Sequence, residues 1–469
     1  MSEIKKVATR DSYGNALVEL GKEHDDLIVL DADLAGATKT GMFKKAFPER
    51  HWDIGIAEAN MTGIAAGVAA CGKVPFISSF AMFAAGRAYE QVRNAIGYPH
   101  LNVKIGATHA GISVGEDGAT HQCLEDIGLM REIPGMVVIN PADDVEARAA
   151  VKAAYEHVGP VYLRFGRLAV PVFNDEATYK FEIGKGIVLK EGTDVTIFAT
   201  GLCVNETIEA EKMLAADGIN AEIINIHTIK PLDRELVVKS ALKTGKVVTV
   251  EEHSVIGGLG SAICDVLCEE APTKVLKIGI NDVFGESGPA LELIKKYGLD
   301  AEGIYKKVKA FVKYLKMAAG QCVLVAGIVL GIMLLPYVVS TCQESLVNAK
   351  RTYEKSGLAL GLSREYVLIK VILPAIRPGI VASAMMAFGR ALGETMAVMM
   401  VIGNSAIFPK LLGRGQTLPA LTALEMGSIE YGSIHLSVLY VANLVLLVIL
   451  VVVTLAGQLL KRRFAEHEK

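Results

Sequence analysis

The stretch Leu27-Ile-Val-Leu-Asp-Ala-Asp33 sets the pattern that the first 180 residues repeat. Its apolar half predicts a β-strand, and two acidic residues follow directly. Further strands are predicted at Val74–Ser79, Leu101–Ile105, Met136–Ile139 and Val161–Arg164, with helices at Ala57–Ala70 and Asp144–His157. Alternating strands and helices indicate a parallel sheet that binds ligands beyond the carboxyl ends of its strands.

Residues 183–312 repeat this pattern in a second segment. The predicted strands are Val195–Ala199, Ala221–Asn225, Lys246–Val250 and Val275–Ile278. The polar run Asn174–Thr178 is typical of a linker between domains. We therefore expect two doubly wound α/β domains, residues 1–180 and 183–312.

The character of the chain changes near Lys316. Three apolar segments follow: Cys322–Ser340, Gly379–Gly403 and Leu436–Leu460. Each is close to the roughly 20 apolar residues that a spanning helix needs. Residues 318–469 are therefore predicted to form an all-α membrane domain of three transmembrane helices, in contact with lipid.

Composition excludes some classes of function. The net charge of −3 gives no signal for nucleic-acid binding. The seven cysteines contain no CxxC pair, so we expect reduced thiols and no metal site of this chain's own. The polar start, Met1–Lys6, lacks the apolar core of a signal peptide, so none is expected.

The densest acid/base group is His109-Ala-Gly-Ile-Ser-Val-Gly-Glu-Asp-Gly-Ala-Thr-His121. Its glycines permit sharp turns that can aim His109, Asp117 and His121 into a cleft. Histidine titrates near neutral pH and suits proton transfer. A turn with solvated acidic side chains explains the same residues, and chemistry alone leaves both interpretations open.

Glu58 lies at the start of a Gly/Ala-rich helical pattern, where we expect it to be half-buried. It is either an acid favoured by the helix dipole or a buried group that exchanges a proton with a ligand. Phe80 and Phe83 follow the next strand, and the residues alone favour core packing as their role.

These residues belong to a pattern that resembles the C-terminal half of transketolase, in the form that is made as two chains. The motifs that carry the resemblance are Ala32–Leu34, Gly55–Met61, Ser79–Phe83, His109–His121 and Glu251–Gly260. Deoxyxylulose-phosphate synthases and oxo-acid dehydrogenase β subunits share the Glu and the Glu-His-Gly-Gly region, but their versions of the loop that ends at His121 differ. The resemblance covers residues 1–312, and its motifs are specific.

The resemblance implies a thiamine diphosphate site. Glu58 would hydrogen-bond the aminopyrimidine and promote its imino tautomer. Phe80 and Phe83 would pack on the pyrimidine ring, and Asp33 would lie near the thiazolium.

The resemblance also implies a sugar-phosphate site. His109 and Asp117 would contact the sugar, and His121 would serve in proton transfer. Arg10 and Arg167 would hold the phosphate, a task that suits a guanidinium fork. The implied activity is transfer of a two-carbon ketol unit between sugar phosphates.

Two departures from the family qualify this expectation. Ala37 stands where a phosphate-binding Ser is frequent, which weakens the phosphate site. The sequence contains no Gly-Asp-Gly motif, through which the family binds Mg²⁺ and the diphosphate. We therefore expect an N-terminal partner subunit to supply the Mg²⁺ site, in a heterotetramer, and this chain alone to be inactive.

Residues 318–469 resemble the C-terminal half of the permease of the bacterial phosphate ABC transporter. The motifs are Gly389–Val398 and Gly361–Pro374, although Lys355 and Val371 replace the usual Glu and Ile of the coupling loop. The resemblance implies an ABC ATPase and a second permease subunit as partners. Within Gly389–Val398, Arg390 would lie on the phosphate pathway with Glu394 as its partner; their spacing of four predicts one shared helix face.

The two resemblances conflict over topology. The excess of Lys and Arg in Lys350–Arg377 and Lys461–Arg463 predicts that both segments are cytoplasmic. The enzyme domains would then lie outside, although their cofactor and partner imply the cytoplasm and Lys306–Lys316 is also basic. We expect a transketolase subunit with an appended partial permease. A permease subunit and a non-functional fusion of two truncated reading frames are the alternatives, and a non-native origin of the fusion is our hypothesis.

Overall fold

The computed structural model describes residues 5–317, 322–402, 404, 415–425 and 434–466. The chain divides into two compact units, Met1–Val312 and Lys313–Lys469. Each unit is described by itself.

A seven-stranded sheet forms the centre of the first domain. The elements of this domain are β1 (Lys6–Ala8), α1 (Thr9–Glu23), β2 (Leu27–Asp31), α2 (Ala35–Thr38), α3 (Gly41–Ala46), β3 (His51–Asp53), α4 (Glu58–Ala70), β4 (Val74–Phe80), α5 (Tyr89–Gln91), β5 (Lys104–Thr108), α6 (Asp126–Glu132), β6 (Val137–Ile139), α7 (Asp144–Glu156), β7 (Val161–Arg164) and β8 (Ala169–Pro171). Two π-helical segments, Met82–Arg87 and Val92–Gly97, flank α5.

Alternate residues of the central strands enter opposite cores, because successive side chains of a strand point to opposite faces. In β2, Ile28 and Leu30 pack into one apolar cluster, whereas Leu27 and Val29 pack into the other. A sheet that is buried on both faces explains why these strands are continuous apolar runs. The predicted parallel sheet is confirmed for β2, β4, β5, β6 and β7.

One predicted strand is displaced along the chain. The prediction of Leu101–Ile105 is wrong at both ends, because β5 runs from Lys104 to Thr108. Lys104 is fully buried and donates to the carbonyls of His157 and Gly159 at 2.6 and 2.7 Å. A buried lysine is tolerated where its ammonium group has hydrogen-bond acceptors, so β5 can begin at Lys104.

The second domain is built on a five-stranded sheet in the order β14-β13-β10-β11-β9. Its elements, including one strand that joins the first sheet, are β9 (Ile187–Lys190), β10 (Val195–Ala199), α8 (Cys203–Ala216), β11 (Ala221–Asn225), β12 (Thr228–Lys230), α9 (Arg234–Thr244), β13 (Val247–Ser254), α10 (Leu259–Glu270), β14 (Val275–Ile280), α11 (Ala290–Lys296) and α12 (Ala301–Met317). β10 and β11 coincide with their predictions.

The strand β12 ties the two domains together. It pairs antiparallel with β6 and so completes the edge of the first domain's sheet. Lys230, at its end, donates to the carbonyl oxygens of Arg131 and Ile133 at 2.7 and 2.6 Å. The first compact unit therefore contains two sheets that share one segment of chain.

The regular elements in the described part of the second unit are all helices. Its helices are α13 (Val323–Ala359), α14 (Arg364–Tyr366), α15 (Leu373–Gly393), α16 (Met396–Ile402), α17 (Leu418–Glu425) and α18 (Ile434–Glu466). The π-helical segment Val367–Ile372 joins α14 to α15. Among the described residues, three stretches are long and apolar enough to cross a membrane: Val323–Ala359, Arg364–Gly393 and Leu436–Ala456.

A second spanning stretch is confirmed, but its bounds differ from the predicted Gly379–Gly403: it runs from Arg364 to Gly393, and Gly403 lies outside the described residues. α15 ends at Gly393, Glu394 has extended backbone angles, and α16 begins at Met396. The Thr395 hydroxyl donates to the Gly393 carbonyl at 3.3 Å, and Glu394 Oε1 accepts from the Ala397 amide at 3.5 Å. Short polar side chains that bond the local backbone favour a helix boundary, so the span lies earlier in the chain.

Candidate active site at the carboxyl edge of the first sheet

Four neighbouring strands bring the predicted site residues to one edge of the sheet. In the sheet order, β7, β5, β4 and β2 are consecutive. Phe80 is the last residue of β4, and His109 follows β5 directly. Asp33 lies two residues after β2, and Arg167 lies three residues after β7. Since these strands are parallel, residues far apart in sequence converge at one edge.

Aromatic rings form the wall of the site. Phe80 stacks on the His109 imidazole with centroids 3.9 Å apart, and Phe80 and Phe83 lie nearly parallel with centroids 5.9 Å apart. His121 meets the Phe83 ring edge-on at 5.4 Å. The two phenylalanines and two histidines predicted from the motifs thus form one cluster. Phe80 is buried, whereas Phe83 is partly exposed.

His109 is a buried histidine whose two nitrogens are both in contact with neighbours. Its Nε2 lies 2.8 Å from an Arg10 guanidinium nitrogen, and its Nδ1 lies 2.9 Å from the Thr108 hydroxyl. Burial lowers the pKa of His109 to about 3, and the nearby Arg10 and Arg167 charges add to this effect. His109 is therefore neutral at physiological pH, and its Nε2 accepts from Arg10.

Arg10 and Arg167 lie at the same edge but differ in their partners. Arg10, at the start of α1, also donates to the Ala37 carbonyl at 3.2 Å, and burial lowers its pKa. Arg167 contacts the Asp117 carboxylate at 3.5 Å and Glu116 at 3.7 Å. Two cationic side chains beside a neutral imidazole can bind an anionic group of a ligand.

The loop between His109 and His121 has the sharp turns that its glycines suggested. Gly111, Gly115 and Gly118 all have positive φ. A Cβ on Gly111 would lie 2.3 Å from the Glu252 carboxyl carbon, so a side chain there has no room. Glu252 accepts from the Ser113 amide at 2.6 Å. The second domain therefore supports this loop from behind through a residue of its Glu251–Gly260 motif.

Glu58 is the first residue of α4, and only 2% of its surface is exposed. The expectation of half-burial is therefore exceeded. Both of its carboxylate oxygens accept from one guanidinium nitrogen of Arg87, each at 3.1 Å. The same guanidinium lies over the Phe83 ring, 4.5 Å from its centroid.

The sequence reasoning missed Arg87. It ends the π-helical segment Met82–Arg87, 29 residues from Glu58. Single π-helical turns are frequent at functional sites, but no spacing in the sequence indicates one here.

Asp33 has a positive φ, and its amide donates to Asp53 Oδ1 at 3.1 Å. Its own side chain is exposed at the rim of the edge.

The carboxylate and the aromatic rings of this site suit an aminopyrimidine. A buried carboxylate can hydrogen-bond a ring nitrogen, and an aromatic ring can stack on such a ring. Glu58 and Phe83 offer these two groups within one cluster, bridged by Arg87. Among the residues that the structure describes, no group of three or more His, Cys, Asp and Glu side chains could hold a metal ion.

The predicted transport residues Arg390 and Glu394 do not form the expected pair. Glu394 lies beyond the end of α15, so the prediction of one shared helix face is wrong. In the described part of the chain, the Arg390 guanidinium instead lies 5.6 Å from the Tyr337 ring centroid. A cavity of about 270 Å³ adjoins Arg390 between α13, α15 and α18.

Three protein-family models match the chain. Residues 5–172 match the transketolase pyrimidine binding domain, residues 184–304 match the transketolase C-terminal domain, and residues 288–466 match the inner membrane component of binding-protein-dependent transport systems. The predicted combination of transketolase domains with a permease domain is confirmed.

Relatives of the first unit are separate transketolase sections. The putative transketolase C-terminal section of Methanocaldococcus jannaschii is 53% identical over 301 residues, which are 64% of this chain and 94% of that protein. The 6-deoxy-6-sulfo-D-fructose transketolase subunit of a Clostridium species is 46% identical over 298 residues, 63% of this chain and 92% of that protein.

A solved structure supports the same relation. A split-gene transketolase, described as an inactive β4 tetramer, is 53% identical, with a TM-score of 0.60 over 65% of this chain and 98% of that chain. Family membership implies use of thiamine diphosphate, and the split relatives indicate an N-terminal partner subunit and an oligomer. The permease match and the three apolar helices indicate membrane insertion. The chain belongs to the transketolase family as a C-terminal subunit that carries an appended permease domain.

Proposed function

We propose that residues 1–312 complete a thiamine-diphosphate site with a separate N-terminal subunit and transfer a two-carbon ketol unit between sugar phosphates. The observation that carries the proposal is the cluster of Glu58, Phe80, Phe83 and His109 at the carboxyl edge of the sheet. When bound, the cofactor supplies the nucleophilic carbon for the reaction, and the protein orients it.

Each residue of the cluster has a proposed task. The buried Glu58 carboxylate holds the aminopyrimidine through a hydrogen bond and exchanges a proton with it. The Phe83 ring stacks on that heterocycle, and Phe80 fixes the His109 ring from behind at 3.9 Å. Asp33 lies on the rim beside the thiazolium. These tasks need buried, oriented groups, which the contacts of Glu58 and His109 provide.

The cations at the edge define the proposed substrate end of the site. Arg10 and Arg167 bind the anionic group of the sugar. Its hydroxyls are bound by Asp117 and by the neutral imidazole of His109. His121, at the end of the same loop, moves the proton between cofactor and sugar. Ala37 supplies no hydroxyl to the anion, so the arginines carry that interaction.

The partner subunit completes the cofactor site. We propose that it binds the diphosphate through Mg²⁺ and that two copies of each chain form a heterotetramer. The enzyme part would act in the cytoplasm, where its partner is made.

For the membrane unit, we propose descent from a phosphate permease. In that role the coupling loop Gly361–Pro374 would dock on an ABC ATPase, a second permease subunit would complete the pathway, and Arg390 would line it. The Arg390 cavity between α13, α15 and α18 supports this proposal. Glu394 would cap α16 instead of pairing with Arg390.

The first experiment uses residues 1–312, which form their own compact unit and align with 98% of a split relative that exists as a separate chain. This fragment is combined with a transketolase N-terminal subunit, thiamine diphosphate and Mg²⁺, and ketol transfer is assayed. We expect activity, and a loss of about 10²- to 10⁴-fold in Glu58→Ala, the usual contribution of proton transfer.

Glu90→Ala is the matched control, because Glu90 is exposed on α5 and bonds only Gln91 and Asn94 in the described part. It should retain activity. Inactivity of the wild-type fragment in a folded, associated complex would refute the proposed function.

A further inference from the structure

We propose that Arg87 occupies the place of the aminopyrimidine while the cofactor is absent and must leave it before the cofactor binds. This inference rests on the proposed thiamine-diphosphate function. It assigns a positioning role to a residue that none of the sequence motifs singled out.

The first observation is that Arg87 occupies the hydrogen-bonding atoms of Glu58. Both carboxylate oxygens face one guanidinium nitrogen at 3.1 Å. Glu58 is buried, and among the described residues Arg87 is the side chain that pairs with it. A nitrogen 3.1 Å from both oxygens lies in front of the carboxylate, so a ring nitrogen that approaches from that side competes with Arg87 for the same space.

The second observation is that Arg87 also covers the stacking surface. Its guanidinium lies 4.5 Å from the Phe83 centroid, a cation–π distance. The planar guanidinium thus makes the same two contacts, a hydrogen bond to the carboxylate and a stack on the ring, that a planar heterocycle would make. One group cannot be present while the other fills both positions.

The third observation concerns how easily Arg87 can leave. Its side chain is 52% exposed, whereas Glu58 is 2% exposed. An arginine with one end in solvent can swing outward and stay hydrated, while Glu58 stays in place for the incoming ring. Arg87 therefore keeps the buried carboxylate paired until the cofactor replaces it.

The test measures cofactor binding by the assembled complex of residues 1–312 with the N-terminal subunit and Mg²⁺. Thiamine diphosphate is titrated and followed by isothermal titration calorimetry. We expect the apparent Kd for thiamine diphosphate in Arg87→Met to fall roughly two- to fivefold, the range for loss of a half-exposed ion pair that opposes binding. The KM of the sugar substrate should not change.

Arg93→Met is the matched control. Arg93 is exposed in the next π-helical turn and bonds Asn94, so its loss should leave the Kd unchanged. Where Arg87→Met does not fold, Arg87→Gln keeps a donor for Glu58 and should shift the Kd in the same direction by less.

The outcomes separate the two proposals. A wild-type complex that binds no thiamine diphosphate overturns both the proposed function and this inference. A wild-type complex that binds the cofactor and transfers ketol units, with an unchanged or weaker Kd in the Arg87 variants, overturns this inference alone.

Discussion

At the scale of single residues, His109 shows how the site sets a protonation state. It is buried between Phe80 and Arg10, and its pKa is lowered to about 3. A neutral imidazole does not repel the cations beside it, so Arg10 and Arg167 can share the edge with it. The motif indicates His109 as a candidate site residue, but its protonation state follows from the burial that the fold imposes.

This burial predicts a pH dependence of stability. Between pH 6 and 4 the unfolded chain protonates His109, whose ordinary pKa is about 6.5, while the native chain does not. The native state thus loses stability as pH falls. We expect the free energy of unfolding of His109→Asn and His109→Phe to fall less steeply as pH falls. The slope should be smaller than that of the wild type by about 1.4 kcal/mol per pH unit. Urea unfolding of residues 1–312 at several pH values measures this, and equal slopes would contradict it.

The positions of other candidate site residues were partly predictable from the sequence. Glu58, Phe80 and Phe83 lie where their motifs placed them, since each is fixed by a strand or helix end close in sequence. Arg87 was not predictable, because its contact with Glu58 spans 29 residues and depends on a π-helical turn. Local patterns indicate which residues follow strands, not which distant side chains meet.

At the scale of elements, the pairing of β12 with β6 explains how the domains hold together. The sequence predicted no strand at Thr228–Lys230, because three residues give too short a pattern. Its stability comes from the neighbouring sheet and from Lys230, which reaches two carbonyls of the first domain.

Replacing Lys230 with Met should therefore lower the stability of the first unit. We expect the free energy of unfolding of residues 1–312 to fall by about 1–3 kcal/mol, since two carbonyl acceptors lose a charged donor. Thermal and urea unfolding measure the change. Lys239→Met, on the exposed face of α9, is the control and should have little effect. A Lys230 variant as stable as this control would show that β12 docks without it.

The three spans of the membrane unit were predictable in number, and two of them also in position. Hydropathy alone located the first and third spans, since the predicted segments overlap Val323–Ala359 and Leu436–Ala456. It misplaced the second span, because apolar residues continue on both sides of Glu394. The break depends on how Glu394 and Thr395 bond the backbone, which a hydropathy average does not contain.

At the scale of the whole molecule, the two units carry unrelated chemistry. The first unit has its own sheets, cores and candidate site, and its relatives are separate chains. The second exposes apolar side chains along α13 and α18, which suits contact with lipid. Because this unit resembles only the C-terminal half of a permease, we expect its three spans not to form a complete transport pathway.

The fusion hypothesis makes a prediction about the full chain. The basic segment Lys350–Arg377 favours a topology that would export the enzyme domains, which conflicts with a cytoplasmic partner subunit. We therefore expect full-length chain recovered in washed membranes to show no ketol transfer when partner, thiamine diphosphate and Mg²⁺ are added. Soluble residues 1–312 should be active under the same conditions. Ketol transfer that sediments with the full-length chain, and disappears in Glu58→Ala, would instead establish a working enzyme anchored to the membrane.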